Sequence, residues 1–374
     1  MDNFNLREFI SGNNILTGIF GVNYLETKAS IKNIRIFIFS IIFTVDIIRD
    51  TIIVTLPYET MRKERLYYGE FATMIFDQSD DVLTIAQYCY RSSSFLMFAI
   101  FVFDDRSWID EASKYFKQIQ NEELCLKLLG LRKRCRSFAV MNSLTRQFSV
   151  GSCLLSILKN RLDEFGYEVL PSYLFVFITI FIVTSINSQF LMDINLLCWL
   201  SVYSFDDINK RMLLKYKNFN RRYIHSEYLQ QFSVVCLMVK ELLKYSKKIF
   251  FIFYSLNITL IIFLFYSSLY DMKLPLYFRI FIGIFGIAEC VEIIYFSYAI
   301  GKIDIVGKSV QHYIYENCLF RPENYASGIW KYLRYFHTVL CSNIGMTFWG
   351  QSISPETSIK VSFTHSLSLS LSLS

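Results

Sequence analysis

The stretch that decides the fold is residues 206–248, which read DDINKRMLLKYKNFNRRYIHSEYLQQFSVVCLMVKELLKYSKK. It contains ten Lys and Arg residues against four acidic ones. Long apolar runs border it on both sides, at 171–203 and 249–270. Lys and Arg are retained on the cytoplasmic side when a membrane protein inserts. We therefore expect this stretch to be a cytoplasmic loop between two membrane spans.

The composition of the whole chain agrees with a membrane protein. Hydrophobic residues make up 53% of the sequence and charged residues only 19%, whereas soluble domains are about a quarter charged. The apolar runs are long enough to cross a hydrocarbon core about 30 Å thick. We expect an all-α, polytopic helical membrane protein in the plasma membrane. Its six predicted spans lie at about 34–56, 82–103, 138–158, 171–203, 249–270 and 276–300.

The distribution of basic residues predicts the orientation. A cluster reading RKRCR at 132–136 and the stretch 206–248 fall on one side of the membrane, and the acid-rich loop 58–81 falls on the other. The N-terminus is therefore expected in the cytoplasm. The run 171–203 is too long for the bilayer alone, so its inner end should project as a helix. Apolar residues between 228 and 245 recur at helical spacing, which predicts an amphipathic helix leading into the next span.

Several functional classes are disfavoured by the sequence. The net charge of +6 is explained by membrane topology, so no nucleic-acid partner is expected. Nine cysteines form no CxxC pair, and four histidines are scattered through the chain, so neither a metal site nor a structural disulfide is expected. No Gly-rich phosphate loop or nucleophile elbow is present. We expect no cofactor and no enzymatic activity.

Charged residues inside the predicted spans form the first candidate site. Such residues are costly in lipid and are therefore informative. They could line a water-filled pocket or an ion path, or they could form intramembrane ion pairs, such as Asp50 with Arg91. As a set they predict a polar interior. The set comprises Asp46, Arg49, Asp50, Arg91, Arg146, Asp193, Glu289 and Glu292.

A second candidate is a ligand site in the outer halves of the spans, where aromatic rings accumulate. Converging rings suit a small apolar or amphipathic ligand, although helix packing and lipid contact would also explain them. The predicted ligand-binding residues, which include one arginine, are Tyr88, Arg91, Phe95, Tyr173, Phe177, Phe263, Tyr266, Phe281 and Phe285.

Local segments add a family resemblance. FDDIN at 205–209 is similar to a segment that follows span four in insect chemoreceptors, and YLRYF at 332–336 with MTFWGQSIS at 346–354 resembles the approach to their span seven. The chain most resembles a divergent gustatory receptor over residues 1–358, a single transmembrane domain. The resemblance implies a tastant-gated, non-selective cation channel that assembles as a homo- or heterotetramer around a pore lined by the seventh helices.

The sequence departs from that family at its end. The family motif of span seven, a Thr-Tyr pair, five apolar residues and Gln-Phe, is not found, and residues 359–374 run into a Leu-Ser repeat. A CT dinucleotide repeat encodes such a pattern, so we expect translated non-coding sequence there and a polypeptide that, as written, does not form the pore. An odorant receptor, with the same architecture, and a six-span transporter are the alternatives; no internal repeat supports the latter.

Overall fold

The computed structural model describes residues 5–11, 29–55, 81–103, 107–165, 167–218, 224–270, 274–314, 347–348 and 351–352. These residues are almost entirely helical, which confirms the all-α class. Two short strands, β1 (Thr347–Phe348) and β2 (Gln351–Ser352), pair in antiparallel orientation. The helices are α1 (Leu6–Ser11), α2 (Ala29–Thr55), α3 (Asp81–Phe103), α4 (Ser107–Ile119), α5 (Glu122–Phe165), α6 (Leu170–Asn218), α7 (Ile224–Leu269) and α8 (Leu276–Ile314).

The two helices that contain most of the basic stretch 206–248 are far longer than a bilayer requires. α6 has 49 residues and α7 has 46, so they measure roughly 73 and 69 Å at about 1.5 Å per residue. The predicted continuation of the helix beyond residue 203 and the predicted helix leading into the run 249–270 are both present. Many of the charges on this stretch are paired: Lys210 donates to Asp206 at 2.6 Å, which raises the pKa of Lys210.

The segment before the third predicted span is helical, which the sequence analysis did not predict. α4 places Trp108, Ala112 and Phe116 on one buried face, and that face packs on α7. The Trp108 ring stacks on Tyr245 with centroids 5.0 Å apart. A stripe repeating every four residues is present in the sequence, but the segment 104–136 was expected to be a loop between the second and third spans.

The projecting ends of the long helices pack together with α1 and α4 as an extension of the main core. Asn121 organises one corner of this region. Its side chain accepts the Leu124 N–H at 2.8 Å, capping α5, and donates to Asp207 on α6 at 2.8 Å. The FDDIN segment is therefore part of the contact between the start of α5 and the extension of α6.

Among the residues that the structure describes, three helices are long and apolar enough to cross a membrane. These are α6, α7 and α8, over Leu170–Leu214, Gln230–Leu269 and Leu276–Val310. They coincide with the last three predicted spans. The first three predicted spans fall on α2, α3 and α5.

Some predictions fall on residues that the structure does not describe. These are the acid-rich loop at 58–81 except for its last residue, the basic turn at 219–223 and the Leu-Ser tail at 359–374. The same holds for most of the segment that resembles the approach to a seventh span, apart from the two short strands at 347–348 and 351–352.

Candidate ligand cavity

A cavity of about 90 Å³ lies between five helices, α3, α5, α6, α7 and α8. Most of its wall is apolar, and the last three of these helices contribute only apolar residues to it. Ile180 lies on α6, Leu260 and Leu264 on α7, and Ile282 and Phe285 on α8. In every helix the lining residues fall in the outer half of the predicted span. The five helices therefore contribute to the cavity at one common level.

The polar part of the wall comes from α3 and α5. Gln87, Tyr90 and Arg91 are spaced so that they share one face of α3, and all three line the cavity. Ser149 and Cys153 line it from α5, and the Ser149 hydroxyl donates to the backbone oxygen of Phe281 at 2.5 Å. The cavity is therefore apolar on one side and carries a few hydrogen-bonding groups on the other, as small-molecule sites commonly do.

A buried ionic cluster lies behind the α3 wall and joins it to α2. Nη1 of Arg91 is 3.0 Å from Oδ1 of Asp46 and 2.5 Å from Oδ1 of Asp50. Arg49 contacts Asp46 at 2.7 Å, and Gln87 donates to Asp50 at 3.0 Å. The predicted ion pair between Asp50 and Arg91 is confirmed. With two guanidinium and two carboxylate groups, this first cluster is electrically neutral when all four are ionised.

A second buried cluster joins α5, α7 and α8. Nε of Arg146 and Oε1 of Glu289 are 2.8 Å apart, and Arg146 also pairs with Glu292. Asn257 on α7 donates to the other oxygen of Glu289 at 3.1 Å. Arg146, Glu289 and Asn257 are all 0% exposed. This cluster holds two carboxylates and one guanidinium, so in the fully ionised form it carries one excess negative charge.

The two clusters border the cavity from different sides. Tyr90 lines the cavity, and its buried hydroxyl lies near Arg146 of the second cluster and Asn187 of α6. Ser149 lies one helical turn from Arg146. Arg91 itself belongs both to the first cluster and to the cavity wall. A ligand in the cavity would therefore contact residues attached to both charge networks.

Two of the nine predicted ligand-binding residues, Arg91 and Phe285, line the cavity. Phe285 packs edge-on against the Tyr90 ring, with centroids 5.5 Å apart. Tyr173 is buried elsewhere, in a small cluster with Leu154 and Val176 between α5 and α6. Phe285 is therefore part of the cavity wall, whereas Tyr173 takes part in the packing of α5 against α6.

The other six predicted residues lie outside the cavity wall. Tyr88 and Phe177 are exposed on the outside of the bundle, at 38% and 42%. Phe263 and Phe95 are half-buried against the core, and the Phe95 ring lies 6.3 Å from that of Phe43. Tyr266 stacks on Tyr270, and Phe281 meets Phe148 edge-on.

The polar wall residues Gln87, Tyr90 and Ser149 were not predicted from the sequence. A signal for part of this set was available, because Gln87, Tyr90, Arg91 and Ser94 form one polar face on an otherwise apolar helix. Ser149 gave no comparable signal, since a single serine in a span is ordinary.

Comparison with known proteins yields no relative. No protein-family model matches the chain, and no curated protein is significantly similar to it. Within the described residues, no three or more His, Cys, Asp or Glu side chains are grouped so as to hold a metal ion. Function is therefore inferred from the residues and their geometry.

Proposed function

We propose that this chain is a ligand-binding membrane subunit of the gustatory-receptor type. In this proposal six helices cross the plasma membrane, the N-terminus is cytoplasmic, and a tastant binds in the outer-half cavity to gate a cation channel formed with other subunits. The observation that carries the proposal is the cavity itself. An apolar pocket lined by five helices, with a few polar residues on one side, is suited to a small molecule.

The orientation of the side chains on α5 supports a membrane span at this helix, although its sequence is the least apolar of the predicted spans. Met141, Leu144 and Phe148 are 65%, 54% and 66% exposed, whereas Arg146, between them in sequence, is fully buried. A helix on the surface of a soluble protein shows the opposite arrangement. Charged residues in membrane helices face the bundle interior and pair with one another. The arrangement is explained if α5 presents its apolar face to lipid.

A second supporting feature is the continuity of the helices that line the cavity. α6, α7 and α8 run without interruption from the cavity to the packed extension that contains Phe205, Val235 and Ile303. Rigid helices that have two packing arrangements can carry a change at one site to another. We propose that these helices transmit ligand binding to the extension, which holds the subunits of a tetramer together.

The proposal is tested by ligand-evoked cation current in cells that express the chain, alone or with a second gustatory-receptor subunit. Leu264, 7% exposed, lines the cavity, so Leu264→Phe fills part of it. We expect this variant to raise the half-maximal tastant concentration at unchanged surface expression. The control is Leu155→Phe on the outside of α5, where the leucine is 64% exposed. The proposal would be contradicted if both variants had the same half-maximal tastant concentration. It would also be contradicted if no tested tastant evoked a current.

A transporter remains a second candidate, because the Arg146 cluster contains two carboxylates, of Glu289 and Glu292, and only one guanidinium group. Buried carboxylates near a membrane midplane also occur in proton relays of transporters. Uptake of a labelled substrate driven by a proton gradient, with loss in Glu289→Gln, would favour this alternative. Current without uptake would favour the channel.

A further inference from the structure

The exposed apolar face of α5 leads directly into exposed cations. Met141, Leu144 and Phe148 are exposed, and they share one face of the helix because they are spaced by three and four residues. Seven residues before Met141, the same face continues with Arg134, which is exposed, as is the neighbouring Lys133. The outer face of α5 is therefore apolar along one stretch and cationic directly beyond it.

Two other helices repeat this arrangement. On α8 the exposed residues Ile294 and Tyr298 are followed, four residues after the second, by the half-buried Lys302. On α7 the exposed Phe251 comes four residues after Lys247, which is also exposed. Residues four apart lie on the same face of a helix. Each cation therefore ends an exposed apolar row, and α8, which packs against both α5 and α7, joins the three helices.

Aromatic contacts between these helices mark one level in the bundle. The ring of Phe138 on α5 lies 4.5 Å from that of Tyr295 on α8. The ring of Phe250 on α7 lies 5.1 Å from that of Phe296, the next residue of α8. The four rings therefore form a layer that crosses α5, α8 and α7.

The cations lie on one side of this layer and close to it. α8 runs antiparallel to α5 and α7, because its contacts move to lower residue numbers as theirs rise. At about 1.5 Å per residue, Arg134 lies about 6 Å beyond the layer, Lys247 about 4.5 Å and Lys302 about 9 Å. Three neighbouring helices thus carry cations at nearly the same level, where their exposed apolar rows end.

These cations have no acidic partners, unlike other cations of the chain. Within the part of the chain that the structure describes, no ion pair involves the four residues that we call the boundary cations: Lys133, Arg134, Lys247 and Lys302. The acid nearest to Lys302 in sequence, Asp304, pairs with a different lysine. Four other lysines each pair with an acid three or four residues away in their own helix, namely Lys114, Lys127, Lys210 and Lys308. The boundary cations are therefore available to an external anion.

We propose that the boundary cations bind the headgroups of anionic phospholipids. The apolar rows next to them take the acyl chains, which is why a lipid fits this surface better than a soluble anion. Clusters of Lys and Arg directly cytoplasmic of membrane helices are attracted to the anionic inner leaflet, by roughly fivefold in affinity per residue. This inference rests on the proposed function only in letting α5, α7 and α8 cross the membrane with this end in the cytoplasm.

The test is native mass spectrometry of the purified full chain in detergent, titrated with phosphatidylserine or phosphatidylcholine of identical acyl chains. We expect the first phosphatidylserine to bind at least about tenfold more tightly than the first phosphatidylcholine. The difference should shrink as ionic strength rises, because exposed charges are screened by salt. Equal affinity of the two lipids overturns the proposal.

The residues are tested by a variant in which all four boundary cations are replaced by Gln. The preference for phosphatidylserine should fall to within about twofold. The matched control replaces the four paired lysines by Gln, which removes the same charge, and it should keep the preference. Equal loss in both variants would mean that net charge alone attracts the lipid, which overturns the assignment. If the boundary variant unfolds, the four single variants decide, since each should lose about twofold.

A soluble headgroup separates a lipid site from a general anion site. Glycerophosphoserine has the headgroup of phosphatidylserine without the acyl chains. At about tenfold excess over the lipid it should leave the bound phosphatidylserine in place, because it gains nothing from the apolar rows. Displacement of the lipid by glycerophosphoserine would make the ligand a soluble anion and overturn the proposal.

Failure of this inference can be separated from failure of the proposed function. A preference for phosphatidylserine that the boundary variant loses, without any ligand-evoked current, supports the inference and contradicts the channel. Ligand-evoked current that Leu264→Phe impairs, together with equal binding of the two lipids, supports the channel and overturns the inference.

Discussion

Removing Arg146 should destabilise the protein more than removing any surface cation. Arg146 is 0% exposed and contacts Glu289, Glu292 and the Ser188 hydroxyl. In Arg146→Met the two glutamates remain buried at one place without a cation. Breaking a buried ion pair by removing one partner costs about 3–5 kcal/mol, because an uncompensated charge is left behind. We expect a loss of this size in the free energy of unfolding.

The assay is equilibrium unfolding of the purified protein in mixed micelles, followed by far-UV circular dichroism. The diagnostic variant combines Arg146→Met with Glu289→Gln and Glu292→Gln, so that no charge remains at the site. Replacing a whole buried ion cluster by neutral residues is often close to neutral for stability. The triple variant should therefore recover most of the loss. Lys114→Met is the matched control, since Lys114 pairs with Glu111 on the exposed face of α4.

Two results would refute this reasoning. If Arg146→Met unfolds at the same denaturant concentration as Lys114→Met, then the cluster is not a desolvated ion network. If the triple variant is no more stable than Arg146→Met, then the loss comes from packing of the arginine stem rather than from unpaired charge.

Two further predictions concern helix packing. Trp108→Ala removes the ring that stacks on Tyr245 between α4 and α7 and should cost about 3–5 kcal/mol of unfolding free energy; a loss below about 1 kcal/mol in the same assay would show that α4 is only loosely docked. At Gly283 an added Cβ would lie 2.8 Å from the Ser268 hydroxyl oxygen, so Gly283→Ala should cost about 1–3 kcal/mol by overpacking. Combining it with Ser268→Gly should recover part of the loss. If stability did not recover, the loss would not come from the contact with the Ser268 hydroxyl.

The long helices α6 and α7 were predictable because two separate features of the sequence indicate them. The apolar run 171–203 exceeds the bilayer, and the residues between 228 and 245 keep a helical repeat directly into the next apolar run. α4 was not predicted, because the segment 104–136 connects two apolar runs and was expected to be a loop; Asp110, Glu111 and Lys114 lie between the members of its apolar stripe. Only packing against α7 shows that its apolar face is buried.

The cavity was harder to predict than the helices. The sequence identifies which residues are charged within spans, so the pairing of Asp50 with Arg91 could be proposed in advance. It does not show which way an aromatic residue faces, because phenylalanine is as favourable towards lipid as towards a protein core. Phe285 faces the cavity, whereas Phe177 faces outwards, and nothing in the spacing of either residue separates them.

The account depends most directly on α7 crossing the membrane with its cavity-lining half outside. Glycosylation scanning in cells tests this, with acceptor sites inserted in parallel after residue 220, before α7, and after residue 272, beyond its end. The proposed orientation predicts glycosylation at 272 and none at 220. Glycosylation at 220 but not at 272 would reverse the orientation, and glycosylation at both would mean that α7 does not cross the membrane.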